Sequence, residues 1–274
     1  DGNAYDYFGH SVAIQDNIIV VGAPYTDDKG RESGSIYIFE NIDGSWNEVE
    51  KLVASDGEID DLFGYSVAID GSTIVVGAYG DDDNGLASGS AYIFNIDSHG
   101  SWNQHQKIVA SDGNAYDYFG ESVAIDGSTI VVGAVTEQDE LDSSGSAYIF
   151  NIDSDGSWNE YQKIVASDGA NGDFFGKSVA IDGSTIVVGA YGDDNKGSAY
   201  IFKQDSDGSW NQHQKILAID GSNRDYFGES VAIDGGTIVV GAYGDDDNGS
   251  ASGSAYIFNI DSDGSWNEYQ KIVA

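Results

Sequence analysis

Five Phe-Gly pairs punctuate this chain at a period of about 55 residues: Phe8-Gly9, Phe63-Gly64, Phe119-Gly120, Phe175-Gly176 and Phe227-Gly228. Each is followed 14 residues later by Gly-Ala, beginning at Gly22, Gly77, Gly133, Gly189 and Gly241. One tryptophan then follows in every segment: Trp46, Trp102, Trp158, Trp210 and Trp266. The repeats run 1–55, 56–111, 112–167, 168–219 and 220–274. A unit this small cannot bury both of its faces alone, so each must lean on its neighbours.

Within a repeat the strand signals are plain. In 112–167, Ser122 to Ile125 is a short apolar strand, and Asp126-Gly127-Ser128 is a tight turn of the kind that tolerates positive φ. Thr129 to Val132 is β-branched and continuously apolar, which predicts burial on both faces. Gly145 to Phe150 is a third strand, Asn151 to Ser157 a polar turn, and Trp158 to Ala166 a fourth strand. The fourth strand carries a lysine at one equivalent position, namely Lys51, Lys107, Lys163, Lys215 and Lys271. A charged outer strand discourages edge-to-edge pairing, so strand 4 is expected at the rim and strand 1 at the hub. No helical periodicity is present, and a parallel β-helix would need shorter repeats. Four antiparallel strands per repeat predict an all-β β-propeller of five four-stranded blades, residues 1–274 forming one propeller domain. The alternative is an open arc of a longer propeller array. The phenylalanine of each Phe-Gly pair is the expected wedge between blades, and the tryptophans are expected in packing rather than as a ligand platform.

Phe-Gly, a short strand and then Gly22-Ala23-Pro24 resemble the FG-GAP repeat of integrin α-subunit propellers. The bacterial FG-GAP subgroup of large secreted and surface proteins is the closer likeness, through Ser-Val-Ala-Ile, Val-Val-Gly-Ala, Gly-Asp-Asp-Asp-Asn-Gly and Ser-Gly-Ser-Ala-Tyr-Ile-Phe. The departure is at the third position of Gly-Ala-Pro, where Tyr79, Val135, Tyr191 and Tyr243 replace proline. The resemblance implies an extracellular or cell-surface binding or adhesion module. Integrin propellers have seven blades, whereas this chain has five units. The comparable integrin calcium motif lies between strands 1 and 2; that place here is only the Asp-Gly turn, so the integrin site does not carry over.

Net charge is −36, from 47 acidic and 11 basic residues. Such a surface repels nucleic acid and anionic membranes and attracts cations. It reads as solubility or adaptation to a salty medium, or as loops that hold calcium. There is no cysteine, hence no disulfide, and no methionine, so residue 1 is not an initiator and a processed or excised chain is expected. No apolar run approaches the ~20 residues of a spanning helix, and direct membrane insertion is not expected.

Strand order places the 4→1 and 2→3 loops on one face. The 2→3 loops offer Tyr79 with Asp81, Asp82 and Asp83, then Tyr191 with Asp193 and Asp194, then Tyr243 with Asp245, Asp246 and Asp247. Asp27-Asp28 and Glu137 to Asp142 hold the same place in repeats 1 and 3. The 4→1 loops add Asp6, Asp61, Asp117, Asp173 and Asp225. Clustered carboxylates suit Ca²⁺, and the tyrosines suit stacking on a sugar or a partner side chain. The competing reading is solvated loops whose aspartates cap turns. The opposite face carries Asn151-x-Asp153-x-Asp155-Gly156-x-x-Asn159 and its copy Asn259-x-Asp261-x-Asp263-Gly264-x-x-Asn267, an oxygen spacing able to wrap one Ca²⁺. Position 12 is Gln162 or Gln270 rather than a bidentate glutamate, and the competing reading is an Asp-Gly hairpin turn.

No unique Ser/His/Asp set is present, and His10, His99, His105 and His213 match no metal spacing. Carboxylate pairs abound but follow the repeat, so the chain is not expected to be an enzyme. The expected function is recognition of a protein or carbohydrate through the acidic loop face, with Ca²⁺ as the candidate cofactor. The alternative is a structural spacer or a self-associating unit of a large surface assembly.

Overall fold

The computed structural model describes residues 2–136 and 143–273. Twenty strands form five four-stranded antiparallel sheets, each running in sequence order from strand 1 to strand 4. Blade 1 comprises β1 (Ser11–Gln15), β2 (Ile18–Ala23), β3 (Ser35–Ile42) and β4 (Ser45–Leu52). Blade 2 comprises β5 (Ser66–Asp70), β6 (Thr73–Ala78), β7 (Ser90–Ile96) and β8 (Trp102–Ile108). Blade 3 comprises β9 (Phe119–Asp126), β10 (Thr129–Ala134), β11 (Ser146–Ile152) and β12 (Trp158–Ile164). Blade 4 comprises β13 (Phe175–Asp182), β14 (Thr185–Ala190), β15 (Ser198–Gln204) and β16 (Trp210–Ile216). Blade 5 comprises β17 (Phe227–Asp234), β18 (Thr237–Ala242), β19 (Ser254–Ile260) and β20 (Trp266–Val273). The fold is an all-β propeller of five four-stranded blades, as the repeat predicts. The chain groups into two compact units, Asp1–Val132 with Phe150–Glu160, and Gly133–Ile149 with Tyr161–Ala274.

Local chemistry accounts for each strand. The hairpins between strands 1 and 2 close with two residues, and Gly71, Gly127, Gly183 and Gly235 take φ near +55° there. Blade 1 uses Asp16, at φ +51°, in the same role. Strand 2 of blade 4 is buried on both sides: Ile186, Val187, Val188 and Ala190 are fully enclosed. Strand 1 is longer than the apolar run suggests in blades 3 to 5. It begins at the phenylalanine, where Phe175 pairs with Ala190 across a bulge before Ser178.

The joint between blades is repeated closely. In the first unit, Phe63 and Phe119 are fully buried; in the second, so is Phe175, and Phe227 nearly so. Phe63 meets Tyr92 at 5.4 Å and Phe94 at 5.8 Å edge-on. Around it pack Val20, Ile36 and Ile38 of the preceding blade. Burying such a ring contributes about 1.5–3 kcal/mol before entropy. The backbone of each phenylalanine bridges to a glycine of the blade before it: Gly34 with Phe63, Gly89 with Phe119, Gly145 with Phe175 and Gly197 with Phe227. A serine hydroxyl donates across the same joint, from Ser11 to the Gly64 carbonyl at 2.8 Å and from Ser178 to that of Gly228 at 2.9 Å. A glutamine of strand 4 clasps the backbone of the next tryptophan. Gln214 Nε2 donates to the Trp266 carbonyl at 2.7 Å, and the Trp266 N–H donates back to Oε1 at 2.8 Å. Gln106 with Trp158 and Gln162 with Trp210 repeat it. Strands 1 of successive blades pack on one another, β1 on β5, β5 on β9 and β13 on β17.

Candidate functional site

The 2→3 loops of blades 1, 2 and 4 lie against the 4→1 loops that lead into the blades that follow. Asp60 N–H donates to Arg31 O at 2.9 Å, Tyr116 N–H to Leu86 O at 2.8 Å, and Arg224 N–H to Asn195 O at 2.6 Å. The two loop classes expected to share a face therefore do so.

The first aspartate of each acidic loop turns inward. Asp81, Asp193 and Asp245 are only 3–5% exposed. Strands 3 and 4 pair Tyr92 with Lys107, Tyr200 with Lys215 and Tyr256 with Lys271, which puts ring and ammonium side by side under the loop. Lys107 Nζ sits 2.8 Å from Asp81, 2.5 Å from Asp83 and 3.0 Å from Asp56. The Tyr92 hydroxyl donates to Asp81 at 2.7 Å. Lys271 reaches Asp220 at 2.8 Å, Asp245 at 2.7 Å and Asp247 at 2.6 Å. Lys215 reaches Asp168 at 2.7 Å and Asp193 at 2.5 Å, and Lys51 meets Asp28 at 2.8 Å. Burial opposes the charge of Lys107, Lys215 and Lys271, but the aspartate hydrogen bonds outweigh it and raise each lysine's pKa. Burial likewise works against Asp245, yet bonds from Lys271, Tyr256 and Ser254 hold its carboxyl at about 2. The strand-4 lysine is thus the cation of the acidic loop. Asp81, Asp193 and Asp245 serve the blade itself, while Asp82, Asp194 and Asp246 face solvent; Asp83 and Asp247 are exposed and lysine-bonded. Residues 137–142, the matching loop of repeat 3, lie outside the described residues.

A second aspartate holds the 4→1 turn. Asp6, Asp61, Asp117, Asp173 and Asp225 are buried, and each accepts the backbone N–H three residues before it at 2.6–2.7 Å. Burial, with Asp81 and Asp82 nearby, pushes Asp61 up to about 6 against the bond from Glu58 N–H. A raised carboxyl stabilises the fold fully below its ordinary value of 3.8, and that contribution is lost as pH rises through about 6. An asparagine at this position would keep the acceptor without the charge. Asp61→Asn is therefore expected to add on the order of 1 kcal/mol at pH 7 and to change little at pH 4. Urea denaturation at both pH values measures it; equal effects at the two would remove the electrostatic account.

These turns also place a row of rings. The residue before every Phe-Gly pair is left-handed: Tyr7, Leu62, Tyr118, Phe174 and Tyr226, at φ +50° to +60°. Non-glycine residues adopt this region rarely, and a bulky residue there in every repeat marks a position held by its surroundings. In the first unit Tyr79 stands edge-on to Tyr65 at 4.4 Å and to Tyr118 at 5.5 Å. In the second, Tyr191 stacks on Phe174 at 5.0 Å and Tyr243 on Tyr226 at 5.0 Å. Tyr243 is 54% exposed, whereas Tyr79 and Tyr191 are half-buried. An open cleft of about 570 Å³ in the first unit is lined by Tyr5, Asp6, Tyr7, Tyr25, Arg31 and Glu32 among others. Sequence reasoning passed over Tyr5, Tyr7, Tyr25 and Tyr226. The signal available for Tyr7 and Tyr226 was the recurrence of a large side chain immediately before Phe-Gly.

The 3→4 turns are Asx turns. Asp153 Oδ1 accepts the N–H of Asp155 at 3.0 Å and of Ser157 at 3.2 Å, and its Oδ2 accepts Asn159 Nδ2 at 2.8 Å. Asp261 does the same with Asp263, Ser265 and Asn267. Asn151 and Asn259 point elsewhere, their side-chain oxygens accepting the hydroxyls of Thr129 and Thr237 at 3.2 Å. Asp155 and Asp263 each accept the N–H of the serine two residues on, Ser157 and Ser265, at 2.9 Å. Among the described residues no group of three or more acidic or histidine side chains converges to hold a metal.

The FG-GAP repeat model matches residues 1–39, 46–94, 102–150, 158–202 and 210–258, most of the chain. The chain belongs to the FG-GAP repeat family. It is similar to integrin alpha-6 of Gallus gallus and of Homo sapiens, 31% identical over 131 residues in each case. That match covers 43% of this chain but only 12% and 11% of those proteins, so the chain spans a small part of their length. Among solved structures it resembles a protein from Lactobacillus plantarum, TM-score 0.61 at 16% identity, covering 97% of this chain and 71% of that one. It also resembles proposed 6-phosphogluconolactonases from Bacteroides fragilis and Bacteroides uniformis. Their TM-scores are 0.63 and 0.65 at 12% and 11% identity, over 97% of this chain and 71% and 72% of theirs. The expectation that this FG-GAP chain is not an enzyme is corrected by those two structures, since the architecture is shared with proteins named for an enzymatic activity. At such identities the likeness carries the fold and not the reaction. No helix among the described residues is long and apolar enough to cross a membrane.

Proposed function

We propose that this FG-GAP chain is a secreted or cell-surface adhesion module that engages a protein or carbohydrate through the face bearing its 2→3 and 4→1 loops. The observation that carries the reading is the presence of exposed rings on these loops within each unit. Tyr5 and Tyr7 sit on left-handed backbone and are 81% and 57% exposed, and Tyr243, stacked on left-handed Tyr226, is 54% exposed. Tyrosine offers a large, stiff, amphipathic contact surface, and such residues dominate binding energy when they are buried by a partner. The exposed carboxylates Asp82, Asp194 and Asp246 stand on the same 2→3 loops as Tyr79, Tyr191 and Tyr243 and suit partners with hydroxyl or cationic groups. Similarity to integrin alpha-6 supports an extracellular setting.

Glycan and protein arrays, each probed in calcium and in chelator, are the test. A ligand retained in calcium and lost in chelator would make Ca²⁺ part of the site. Tyr243→Ala and Tyr7→Ala, tested separately, are expected to weaken the ligand at least tenfold in one of the two cases, with far-UV circular dichroism unchanged. A ligand indifferent to both substitutions, or no ligand on either array, would defeat the reading.

A further inference from the structure

The joint between blades 4 and 5 breaks the repeat at several places at once. The 2→3 loop of blade 4 has six residues between Ala190 and Gly197, where the other four repeats have ten. Lys196 stands where those repeats have serine, Ser33 and Ser88 among them. In the 4→1 loop that follows, Leu217 replaces the valine seen as Val53, Val109 and Val165, and Ile219 replaces the serine seen as Ser55, Ser111 and Ser167. Both loops belong to the second unit.

The short loop uncovers what the longer ones cover. Ala54, Ala110 and Ala166 are buried, whereas their counterpart Ala218 is half-buried. A Cβ built at Gly57, Gly113 or Gly169 would come within 3.8 Å of a 2→3 loop side chain, that of Lys29, Asn84 or Ser144. At Gly221 the three nearest atoms all belong to Ala218. A hollow of about 120 Å³ results, lined by Lys196, Leu217, Ala218, Ile219 and Phe227 among others, with room for one aliphatic side chain. Leu217 and Ile219 are 51% and 81% exposed there. Arg224 is tied to the same short loop, its N–H donating to Asn195 O at 2.6 Å. Lys196 and Arg224 are both exposed, and among the described residues neither is in an ion pair. The neighbouring acids are committed: Asp193 to Lys215, Asp220 to Lys271, and buried Asp225 to the Ser222 N–H. That leaves Asp194 against two cations.

We propose, building on the loop-face reading, that this hollow docks an acidic segment of a partner protein. An aliphatic side chain enters among Leu217, Ala218, Ile219 and Phe227, and a carboxylate beside it meets Lys196 and Arg224. Charge complementarity identifies the occupant. In a chain of net charge −36, two unopposed cations beside an apolar hollow favour a ligand that is itself anionic and aliphatic. Arginine adds a planar fork that matches a carboxylate. The equivalent loops of blades 2 and 5 present Asp82 and Asp246 to solvent and repel such a group, so the segment docks at one joint rather than at every repeat.

Fluorescence polarisation with labelled, end-capped hexapeptides Gly-Ser-Glu-Leu-Ser-Gly and Gly-Ser-Leu-Glu-Ser-Gly reads the outcome. At least one of the two is expected to bind about tenfold more tightly than its counterparts with glutamine for glutamate or serine for leucine. Lys196→Ser and Ile219→Ser restore the residues of the other repeats, and Arg224→Gly installs the residue found at the equivalent left-handed position, Gly172. Each variant should therefore keep the far-UV spectrum while weakening the peptide about tenfold. Equal binding of the glutamate and glutamine peptides, or no binding of any, would overturn the proposal. So would an array ligand that Tyr243→Ala weakens but Lys196→Ser and Arg224→Gly leave alone, a result that keeps the loop-face reading and removes this site. An acidic glycan held through Lys196 and Arg224 in place of the peptides would overturn the assignment to a protein partner.

Discussion

Phe175→Ala is expected to lower stability by about 3–5 kcal/mol, the range for emptying a fully enclosed aromatic site. Phe175 is completely buried and packs edge-on against Tyr200 at 5.4 Å and Phe202 at 5.9 Å. Its backbone pairs with Ala190 and bridges to Gly145, so the cavity would open inside a joint held at both ends and free to collapse at neither. Phe8→Ala is the control. Phe8 touches Tyr37 and Phe39 at 5.2 and 6.0 Å but is 54% exposed, and its loss should amount to about 1 kcal/mol or less. Urea denaturation followed by tryptophan fluorescence compares the two. Equal midpoint shifts would mean that the phenylalanine acts within its own blade rather than between blades.

Gly189→Ala is expected to be at least as damaging, more than about 3 kcal/mol, or to prevent folding outright. A Cβ at Gly189 would fall inside 3.0 Å of the Gly228 carbonyl oxygen and carbon, both backbone atoms of the next blade, so relief requires moving a whole strand. The equivalent change Gly241→Ala meets only the Ser230 side chain at that range, and a hydroxyl rotates away readily. The stability gap between the two variants measures how closely blade backbones must approach. Parity between them would show that the glycine recurs in the five repeats for some other reason, such as strand flexibility.

The period, the four strands and the phenylalanine wedge were legible because each rests on local rules: β-branched runs, Asp-Gly turns and a side chain too large to leave exposed in every repeat. The acidic loops were legible as loops, but not which of their aspartates turn inward. Asp81 and Asp83 look free in a string of aspartates, and only the pairing of Tyr92 with Lys107 across strands 3 and 4 brings an ammonium beneath them. The calcium-like spacing from Asn151 to Asn159 reads as a wrapped cation along the chain, yet folding turns Asn151 toward Thr129 and leaves Asp153 collecting N–H donors. Spacing specifies which oxygens are near in sequence, not which way they point.

The sequence by itself determined that this chain is a series of small four-stranded sheets, because hydrophobic alternation and turn chemistry act over a few residues and recur in each repeat. Only the tertiary structure decided which carboxylates are internal counter-ions and which rings stand on the loops. Those depend on residues far apart in the chain meeting across strands and blades, as Lys107 of strand 4 meets Asp81 of the loop between strands 2 and 3. Asp81 and Asp82 are neighbours in one acidic run, and it is the lysine and tyrosine of strands 4 and 3 that make one buried while the other stays exposed.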